Sequence, residues 1–290
     1  MSEASRQVSG PRGQGKAASP LSPSRIAVFR RRIREFYRTN KRRFPWRDLI
    51  TPYRIVVSEF MLQQTGVGRV TEKFGPFVER FPDFGALAAA PFNDVIDAWQ
   101  GLGYNRRALS LKKLAGTVVD EYSGQLPDDR ALLRALPGVG DATAGSVMAF
   151  AFNLPCVFIE TNIRRVFIHY FFAGRDRVTD KEIIPLVEAT LDRSCPRDWY
   201  YALMDHGAHL GALAVNPNRK SAHYSRQSRF EDSDRQVRGK VIRLLIGNAG
   251  ASARDIARAT GCAPGRLDPI LASLVKDGLI AYDSGLYRIA

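Results

Sequence analysis

The feature that most constrains this chain of 290 residues is a short turn, Leu136-Pro137-Gly138-Val139-Gly140, between an apolar segment and a small-residue segment. Glycine takes the positive φ angles that other residues resist, so two glycines around one apolar residue predict a tight hairpin between two helices. The N–H groups of both glycines and of the following helix would then point outward, as they do in phosphate sites at helix N-termini. A capping side chain from Asp141 or Thr143 is the alternative, and the segment would then be a plain helix–helix turn.

Positive charge is concentrated in two parts of the chain. Residues 1–43 contain 12 Lys/Arg against 2 acidic residues, and residues 216–243 contain 8 against 3, within a net charge of +14. The stretch between them is close to neutral. Basic segments at the edges of a near-neutral body indicate a polyanionic partner, although a solubilising role remains the alternative for the N-terminal tail.

Several classes of protein are disfavoured by composition. The chain has no stretch of about 18 apolar residues, so we predict no membrane span. Its N-terminus lacks the apolar core of a signal peptide. The three cysteines, Cys156, Cys195 and Cys262, are far apart, which favours a reducing compartment over a disulfide framework. We therefore expect a cytoplasmic protein without a metal site.

The pattern predicts four successive parts. We expect a disordered basic tail at residues 1–23, a helical domain at 24–215, a basic linker loop at 216–235 and a separate C-terminal unit at 236–290. No alternating apolar pattern precedes residue 278, so the body is expected to be all-α. Helices are predicted from Pro23 to Asn40 and over about 67–80, 83–90, 91–99, 105–122, 180–192 and 197–210.

Three helices followed by a short hairpin are predicted in the C-terminal unit, which is the element order of a winged helix. The hairpin would pair residues 278–282 with residues 285–289. Arg266 and Ser273 lie on the helix that would be the recognition helix, so Arg266 is a candidate DNA contact. Winged helices also bind proteins, and that alternative stays open.

A lone carboxylate, Glu59, lies in an almost wholly apolar helix that Thr51 and Pro52 should begin. Such a group is costly to bury unless it is paired or used, and desolvation would raise its pKa toward that of a general acid. A position at the helix edge, or a bond to a nearby arginine, is the alternative. Gln63 and Gln64 end this helix, where side-chain amides contact base edges or are merely surface polar groups.

Two further residues are singled out by their places next to bends. Tyr104 follows Gly101-Leu102-Gly103, where it could stack on a base or simply pack, and the helix after it carries Arg106, Arg107, Lys112 and Lys113. Glu160 follows the extended segment Cys156–Ile159 just before a helix predicted to begin at Ile163. Capping that helix is the alternative to a chemical role for Glu160.

Two carboxylates beside a phosphate-binding hairpin are typical of glycosidic bond chemistry, which passes through an oxocarbenium-like state. The chain resembles the helix-hairpin-helix (HhH-GPD) base-excision DNA glycosylases, and within them the A/G-specific adenine branch most of all. The resemblance runs from about Phe29 to Gly211 and is carried, in order, by Phe44-Pro45-Trp46, Thr51-Pro52-Tyr53, residues 58–65, Gly101-Leu102-Gly103-Tyr104, Leu136–Gly140 with Thr143-Ala144-Gly145, and Met204-Asp205-His206-Gly207-Ala208.

The resemblance implies a two-lobed helical fold and roles for particular residues. Glu59 matches the acid that protonates the departing base, and Glu160 matches the family's catalytic aspartate, with an arm one methylene longer. Lyase relatives have a lysine where this chain has Ala142, so the resemblance implies a monofunctional enzyme acting on a flipped base in double-stranded DNA. The DNA contacts expected in this part of the chain are Gln63, Gln64, Tyr104, Gly138, Val139, Gly140 and Thr143, and Arg266 of the predicted winged helix is added to them. The resemblance also implies a monomer associated with the nucleoid.

Two departures from the family bear on cofactor and specificity. Most relatives bind an iron–sulfur cluster through four cysteines, but the matching positions are Gly211, Asn218, Ser221 and Gln227, so we predict no cofactor. The family's domain for reading 8-oxoguanine is replaced by the predicted winged helix, and Asn105 stands where a second tyrosine is common. Because the motifs still resemble the adenine branch most of all, adenine in a mismatch is the first candidate substrate. Uracil, mismatched thymine, a deaminated purine or a non-catalytic DNA-binding role are the alternatives.

Overall fold

The structure is a computed structural model that describes residues 21–213, 215–225 and 229–290. The predicted basic tail at residues 1–23 lies almost entirely outside these ranges. Within them the chain is helical, apart from one short hairpin near its C-terminus. No helix of the described ranges is both long enough and apolar enough to cross a membrane.

One lobe is built mainly from the helices between residues 45 and 152. The first helices that the structure describes are α1 (Pro23–Asn40), α2 (Pro45–Asp48), α3 (Pro52–Leu62), α4 (Val67–Arg80), α5 (Phe84–Ala89), α6 (Phe92–Ala98), α7 (Arg106–Tyr122), α8 (Arg130–Ala135) and α9 (Asp141–Phe152). Helix α3 packs against α4, α7 and α9, and α5 packs against α7.

The second lobe combines the N-terminal helix with helices from later in the chain. The later helices are α10 (Thr161–Phe171), α11 (Asp180–Thr190) and α12 (Pro196–Ala212), followed by a 3₁₀ turn at Pro217–Lys220. Helix α1 packs against α11 and α12, α10 packs against α12, and α9 contacts α12 across the two lobes. Helix α3 therefore belongs to the first lobe and the start of α10 to the second.

Local signals explain where two important helices begin. The side chain of Ser22 accepts a hydrogen bond from the N–H of Arg25, and Pro23 takes the first helical position of α1. Thr51 caps α3 in the same way through the N–H of Arg54. The predicted bounds of α1 and the predicted start signal of α3 are both confirmed.

The C-terminal unit has the predicted order of elements. It consists of α13 (Asp234–Leu245), α14 (Ala253–Thr260), α15 (Pro264–Lys276), β1 (Ile280–Asp283) and β2 (Leu286–Ile289). The two strands pair antiparallel, with Ile280 opposite Ile289. Helix α13 begins within the predicted linker, because Ser233 caps it through the N–H of Gln236.

Two local predictions were wrong in detail. Of the two hairpin glycines only Gly138 has a positive φ, of 79°, whereas Gly140 has φ −87° and is the N-cap of α9. Helix α10 begins at Thr161 rather than at Ile163. The helix starts earlier because the side chain of Glu160 caps it.

Candidate active site

Glu59 lies on α3 with its carboxyl group turned toward α9. The hydroxyl of Ser146 donates a hydrogen bond of 2.5 Å to its Oε2 and also lies 2.9 Å from the carbonyl oxygen of Thr143. Burial raises the pKa of Glu59 to about 7, while the bond from Ser146 acts in the opposite direction. Glu59 is therefore poised to hold a proton near neutral pH.

Glu160 lies in the second lobe, at the N-terminus of α10. Its Oε1 accepts hydrogen bonds from the N–H groups of Asn162 (2.7 Å) and Ile163 (2.8 Å), and its Oε2 accepts one from Asn162 Nδ2 (3.2 Å). Capping, left open by the sequence, is thus part of what this side chain does. A carboxylate held by several donors is rigidly oriented and keeps its charge more readily than an isolated one.

The charge of Glu160 bears on the protonation of Glu59. Burial raises the pKa of Glu160, but its backbone donors and the guanidinium groups of Arg165 and Arg164 oppose the rise. The charge of Glu160 helps to raise the pKa of Glu59. Because Glu160 has the richer set of donors, we assign the proton to Glu59 and the negative charge to Glu160.

A basic cavity of about 530 Å³ is lined by Arg47 and Tyr201, among others. The charge of Arg47 acts on Glu59, and that of Glu59 acts on Tyr201. The guanidinium of Arg47 lies 4.1 Å above the ring of Tyr201 and forms an ion pair of 2.9 Å with the buried Asp205. Within the described part of the chain, the hydroxyls of Tyr37 and Tyr201 and the Nε of Arg47 are buried without hydrogen-bond partners. Buried polar atoms of this kind mark places where water or a ligand binds.

The Gly138–Gly140 hairpin is fixed against the same helix that carries Glu59. A Cβ atom at Gly138 would lie 2.9 Å from Cε1 of Phe60 and 2.8 Å from Cβ of Ser110. Gly140 has open space at its Cβ position, and no side chain caps the start of α9. Asp141 instead pairs with Arg130 and Arg134. The alternative of a capping side chain at the start of α9 is therefore wrong, and the exposed N–H groups of the hairpin can face an anion.

Gln63 and Gln64 form the loop next to this hairpin. Gln63 Nε2 lies 3.5 Å from the hydroxyl oxygen of Thr143, at the first turn of α9. Gln64 is exposed and has a positive φ of 56°, which is uncommon for a residue other than glycine. The structure therefore brings both glutamines, Thr143 and the hairpin onto one face. Strained, exposed residues of this kind gather at functional sites.

Arg107, which in the sequence looked like one basic residue of a helix surface, is buried. Its guanidinium donates to oxygen atoms at the end of α3 and in two loops, namely Phe60 O, Met61 O, Thr65 Oγ1, Leu102 O and Gly103 O. Burial lowers the pKa of this guanidinium to about 10. Arg107 thus holds the Gln64 loop and the Tyr104 loop side by side. Tyr104 is 37% exposed and lies beside that same guanidinium, 5.5 Å from it.

The family model of HhH-GPD superfamily base excision DNA repair proteins matches residues 57–191. A protein of Mycolicibacterium smegmatis named adenine DNA glycosylase is 34% identical over 266 residues, which cover 84% of this chain and 90% of that protein. This chain belongs to the HhH-GPD superfamily.

Other members of the superfamily support the same placement. An adenine DNA glycosylase of Mycobacterium tuberculosis is 32% identical over 278 residues, covering 84% of this chain and 88% of that protein. A solved structure of a thermostable thymine-DNA glycosylase superposes with a TM-score of 0.59 at 29% identity, covering 66% of this chain and 90% of that chain. The family and the helical HhH-GPD fold inferred from the motifs are thus confirmed.

The residues at the family's iron–sulfur positions do not fit a cluster. Gly211, Asn218 and Ser221 offer no thiolate, and Gln227 lies outside the described residues. A Cβ at Gly211 would lie 2.5 Å from the guanidinium of Arg165, so that guanidinium already fills the space of a side chain there. Elsewhere in the described ranges, no three His, Cys, Asp or Glu residues are grouped to hold a metal ion.

Arg165 joins this region to Glu160 instead. Its guanidinium donates to Asn216 Oδ1 (3.0 Å), Asn162 Oδ1 (2.8 Å) and the carbonyl of Gly207 (2.6 Å). Asn162 in turn donates to Glu160, as described above. Gly207 must lack a side chain because a Cβ would lie 2.3 Å from the carbonyl oxygen of Asn162. The Met204–Ala208 motif of the superfamily is therefore the surface that packs against the cap of α10.

Arg266 is engaged within the C-terminal unit. Its guanidinium forms an ion pair of 2.9 Å with Asp234 and donates to the carbonyl of Asp232, which holds the start of α13. Its predicted contact with DNA is untested.

Sequence reasoning missed Ser146, Arg47, Tyr201 and Arg107 as site residues. Of these four residues, only Arg47 had a signal in the sequence. Arg47 directly follows Phe44-Pro45-Trp46, and its partner Asp205 lies in Met204–Ala208; both motifs carry the resemblance.

Proposed function

We propose that this chain is a monofunctional DNA glycosylase that hydrolyses the N-glycosidic bond of a flipped base, with mismatched adenine as its substrate. Membership of a base excision DNA repair family, and relatives named adenine DNA glycosylase over most of both chains, support this proposal. The observation that carries it is the pair of unlike carboxyl groups, with Glu59 protonated near neutral pH and Glu160 held by three donors.

The proposed reaction follows from these two protonation states. Glu59 gives its proton to a ring nitrogen of the base, and the electrons of the C1′–N bond leave with the base. The carboxylate of Glu160 stabilises the oxocarbenium-like sugar that remains. A water oxygen then bonds to C1′ as its proton passes to Glu160, leaving an abasic sugar and a free base. The proton returns to Glu59 through solvent.

DNA is the partner that the family description gives, and the site has matching surfaces. We assign the exposed N–H groups of Gly138, Gly140 and the start of α9 to a backbone phosphate, with Val139 seating the hairpin. Gln63, Gln64 and Tyr104 lie beside it and would contact the bases around the extruded one. The mismatch specificity, the monomeric state and the nucleoid location stay predictions.

The cavity beside Arg47 and Tyr201 is proposed to receive the flipped base. Of the residues that line it, Tyr201 has an unpartnered hydroxyl and Arg47 an unpartnered Nε, and the charge of Arg47 acts on the acid Glu59. A base extruded past the Gln64 loop would come to lie between the two lobes, where both carboxyl groups are available. Burial of the base would also exclude bulk water from the bond that breaks.

We also propose that the enzyme works without a cluster and without a Schiff-base intermediate. Ala142 occupies the exposed second position of α9 and has no amine, and the cluster positions have no thiolate. Purified protein should contain less than one iron atom per chain by elemental analysis and lack the broad visible absorption of iron–sulfur proteins. Borohydride should trap no covalent adduct with DNA. Stoichiometric iron or a trapped adduct would contradict this part of the proposal.

Single-turnover assays on a panel of duplexes test the function. The panel contains adenine opposite 8-oxoguanine and opposite guanine, plus uracil, thymine and hypoxanthine mismatches, with hot alkali to reveal abasic sites. We expect cleavage of the adenine duplexes. Glu59→Gln should abolish base release while binding is kept, whereas the exposed control Glu79→Gln should behave like wild type. Binding without cleavage of any duplex would refute an enzymatic function.

A thymine or uracil specificity is the second candidate. It is favoured by the superposition with a thymine-DNA glycosylase at a TM-score of 0.59. Cleavage of the thymine or uracil duplexes in the same panel, with the adenine duplexes intact, would establish this candidate in place of the first.

A further inference from the structure

The C-terminal unit touches the loop that carries Tyr104. The Nη1 atom of Arg235, in the first turn of α13, donates a hydrogen bond of 2.9 Å to the hydroxyl oxygen of Tyr104. The same guanidinium lies 5.9 Å from the centre of the Tyr104 ring. One side chain of the C-terminal unit therefore meets both the hydroxyl and the ring of a residue next to the active site.

Tyr104 is held in an unusual way. Its φ of 48° lies in the left-handed region, which a bulky residue adopts only when its surroundings enforce it. The guanidinium of Arg107 lies within 5.5 Å of the ring and that of Arg235 within 5.9 Å. Two guanidinium groups near one exposed aromatic ring fix its orientation through cation–π attraction.

Further contacts dock the C-terminal unit beside this loop. Asp277 at the end of α15 accepts from Arg238 and also forms an ion pair of 3.7 Å with Arg106 of α7. The N–H of Gly247 donates to Asn93 Oδ1 over 3.3 Å. Arg266 holds the start of α13 through Asp234, and Arg235 is the next residue along. The position of Arg235 is thus set both by contacts within the C-terminal unit and by contacts of that unit with α6 and α7.

We propose that Arg235 is a positioning residue for Tyr104, and that the C-terminal unit thereby forms part of the surface that grips DNA around the target base. Arg69 of α4 donates to the carbonyl of Gly101 in the loop that carries Tyr104. Exposed Arg106 is the first residue of α7, two positions after Tyr104, so further cations lie close to this loop. An aromatic ring among cations suits a base with its neighbouring phosphates. This proposal rests on the proposed function, because it takes the Tyr104 face to be the DNA face.

The chemistry of the contact makes it sensitive to particular substitutions. Arg235→Met keeps the length of the side chain but loses the donor and the charge. Arg235→Lys keeps the charge but not the planar group that lies against a ring. Tyr104→Phe keeps the ring but loses the acceptor oxygen. Arg254→Met removes one exposed charge from α14 of the same unit and serves as the matched control.

Binding to a duplex that contains a stable abasic-site analogue is the first readout. We expect Arg235→Met to weaken binding about tenfold, Arg235→Lys to restore part of it, and Arg254→Met to change it less than about twofold. In the Tyr104→Phe background the Arg235→Met change should cost less than in wild type, since part of their interaction is shared. Equal, additive effects of Arg235→Met in both backgrounds would overturn the proposal.

A spectroscopic readout separates positioning from general charge or folding. Duplexes with 2-aminopurine next to the target, on either strand, report whether a protein ring intercalates at that place. We expect the fluorescence change on binding to be lost in Tyr104→Ala and reduced in Arg235→Met, but kept in Arg254→Met at equal saturation. An unchanged signal in Arg235→Met would refute the positioning role. Because both assays measure binding, they give an answer even if no duplex is cleaved and the proposed enzymatic function fails.

Discussion

The hydroxyl of Ser146 lies 2.5 Å from Oε2 of Glu59, and this bond joins the two helices that matter most for the site. Helix α9 begins at the hairpin proposed to hold a DNA phosphate, and α3 carries the proposed acid. A group that sets the protonation of Glu59 therefore lies less than two helical turns from the hairpin. The position of the DNA phosphate and the pKa of Glu59 would therefore both depend on α9.

The pH dependence of base release should follow Glu59. The rate is expected to fall as the pH rises through about 7, because a general acid works only while it is protonated. The bond from Ser146 lowers the pKa of Glu59, so Ser146→Ala should move this fall to higher pH. Single-turnover rates measured across neutral pH test both statements. A falling limb that stays in place in Ser146→Ala would show that Ser146 does not act on the acid.

Glu59 should also reduce the stability of the folded protein. Burial raises its pKa from 4.5 to about 7, so folding loses stability as the pH rises between these values, and the loss persists above them. Glu59→Gln should therefore raise the free energy of unfolding at mildly alkaline pH by up to about 3 kcal/mol. The gain should vanish in acid. Denaturant unfolding at both pH values, with Glu79→Gln as the control, measures it; an equal gain at both would contradict the assignment.

Substitutions at Glu160 should separate its charge from its capping role. Glu160→Gln removes the negative charge and should slow base release by at least about 100-fold. Glu160→Asp keeps both the charge and a good N-cap, so its rate should stay within about tenfold of wild type. Rates come from single-turnover assays, with thermal unfolding to monitor the cap. If Glu160→Gln and Glu160→Asp were equally fast, Glu160 would serve only as a cap.

The two hairpin glycines should respond differently to alanine. Gly138 has φ 79° and no room for a Cβ, so Gly138→Ala should destabilise the fold by about 1–3 kcal/mol. Gly140 has φ −87° and open space, so Gly140→Ala should cost less stability than Gly138→Ala, limited to the poorer N-cap that alanine makes, while its methyl group hinders a phosphate. Thermal unfolding and fluorescence anisotropy with labelled duplex test the pair. Unimpaired DNA binding by Gly140→Ala would argue against a phosphate site there.

Much of the architecture was predictable because the signals are local. Ser22 with Pro23, and Thr51 with Pro52, mark helix starts within a few residues, and the structure places caps at those positions. The all-α body follows from the 3.6-residue spacing of apolar side chains. Glu59 stood out because one carboxylate in a run of apolar residues conflicts with its surroundings, and such conflicts are typical of functional sites.

The sequence could not predict the contacts between residues that come from distant parts of the chain. Arg107 looked like a surface cation but is buried, since its five acceptor oxygens come from α3 and two loops. Arg235 is a linker residue in the sequence and a partner of Tyr104 in the fold, 131 positions away. Spacing along one helix reveals which side chains share a face, but not what lies opposite. The sequence by itself therefore determined the helices, the family and the two carboxyl groups, and the tertiary structure alone decided their partners, because burial and hydrogen bonding are properties of the packed chain.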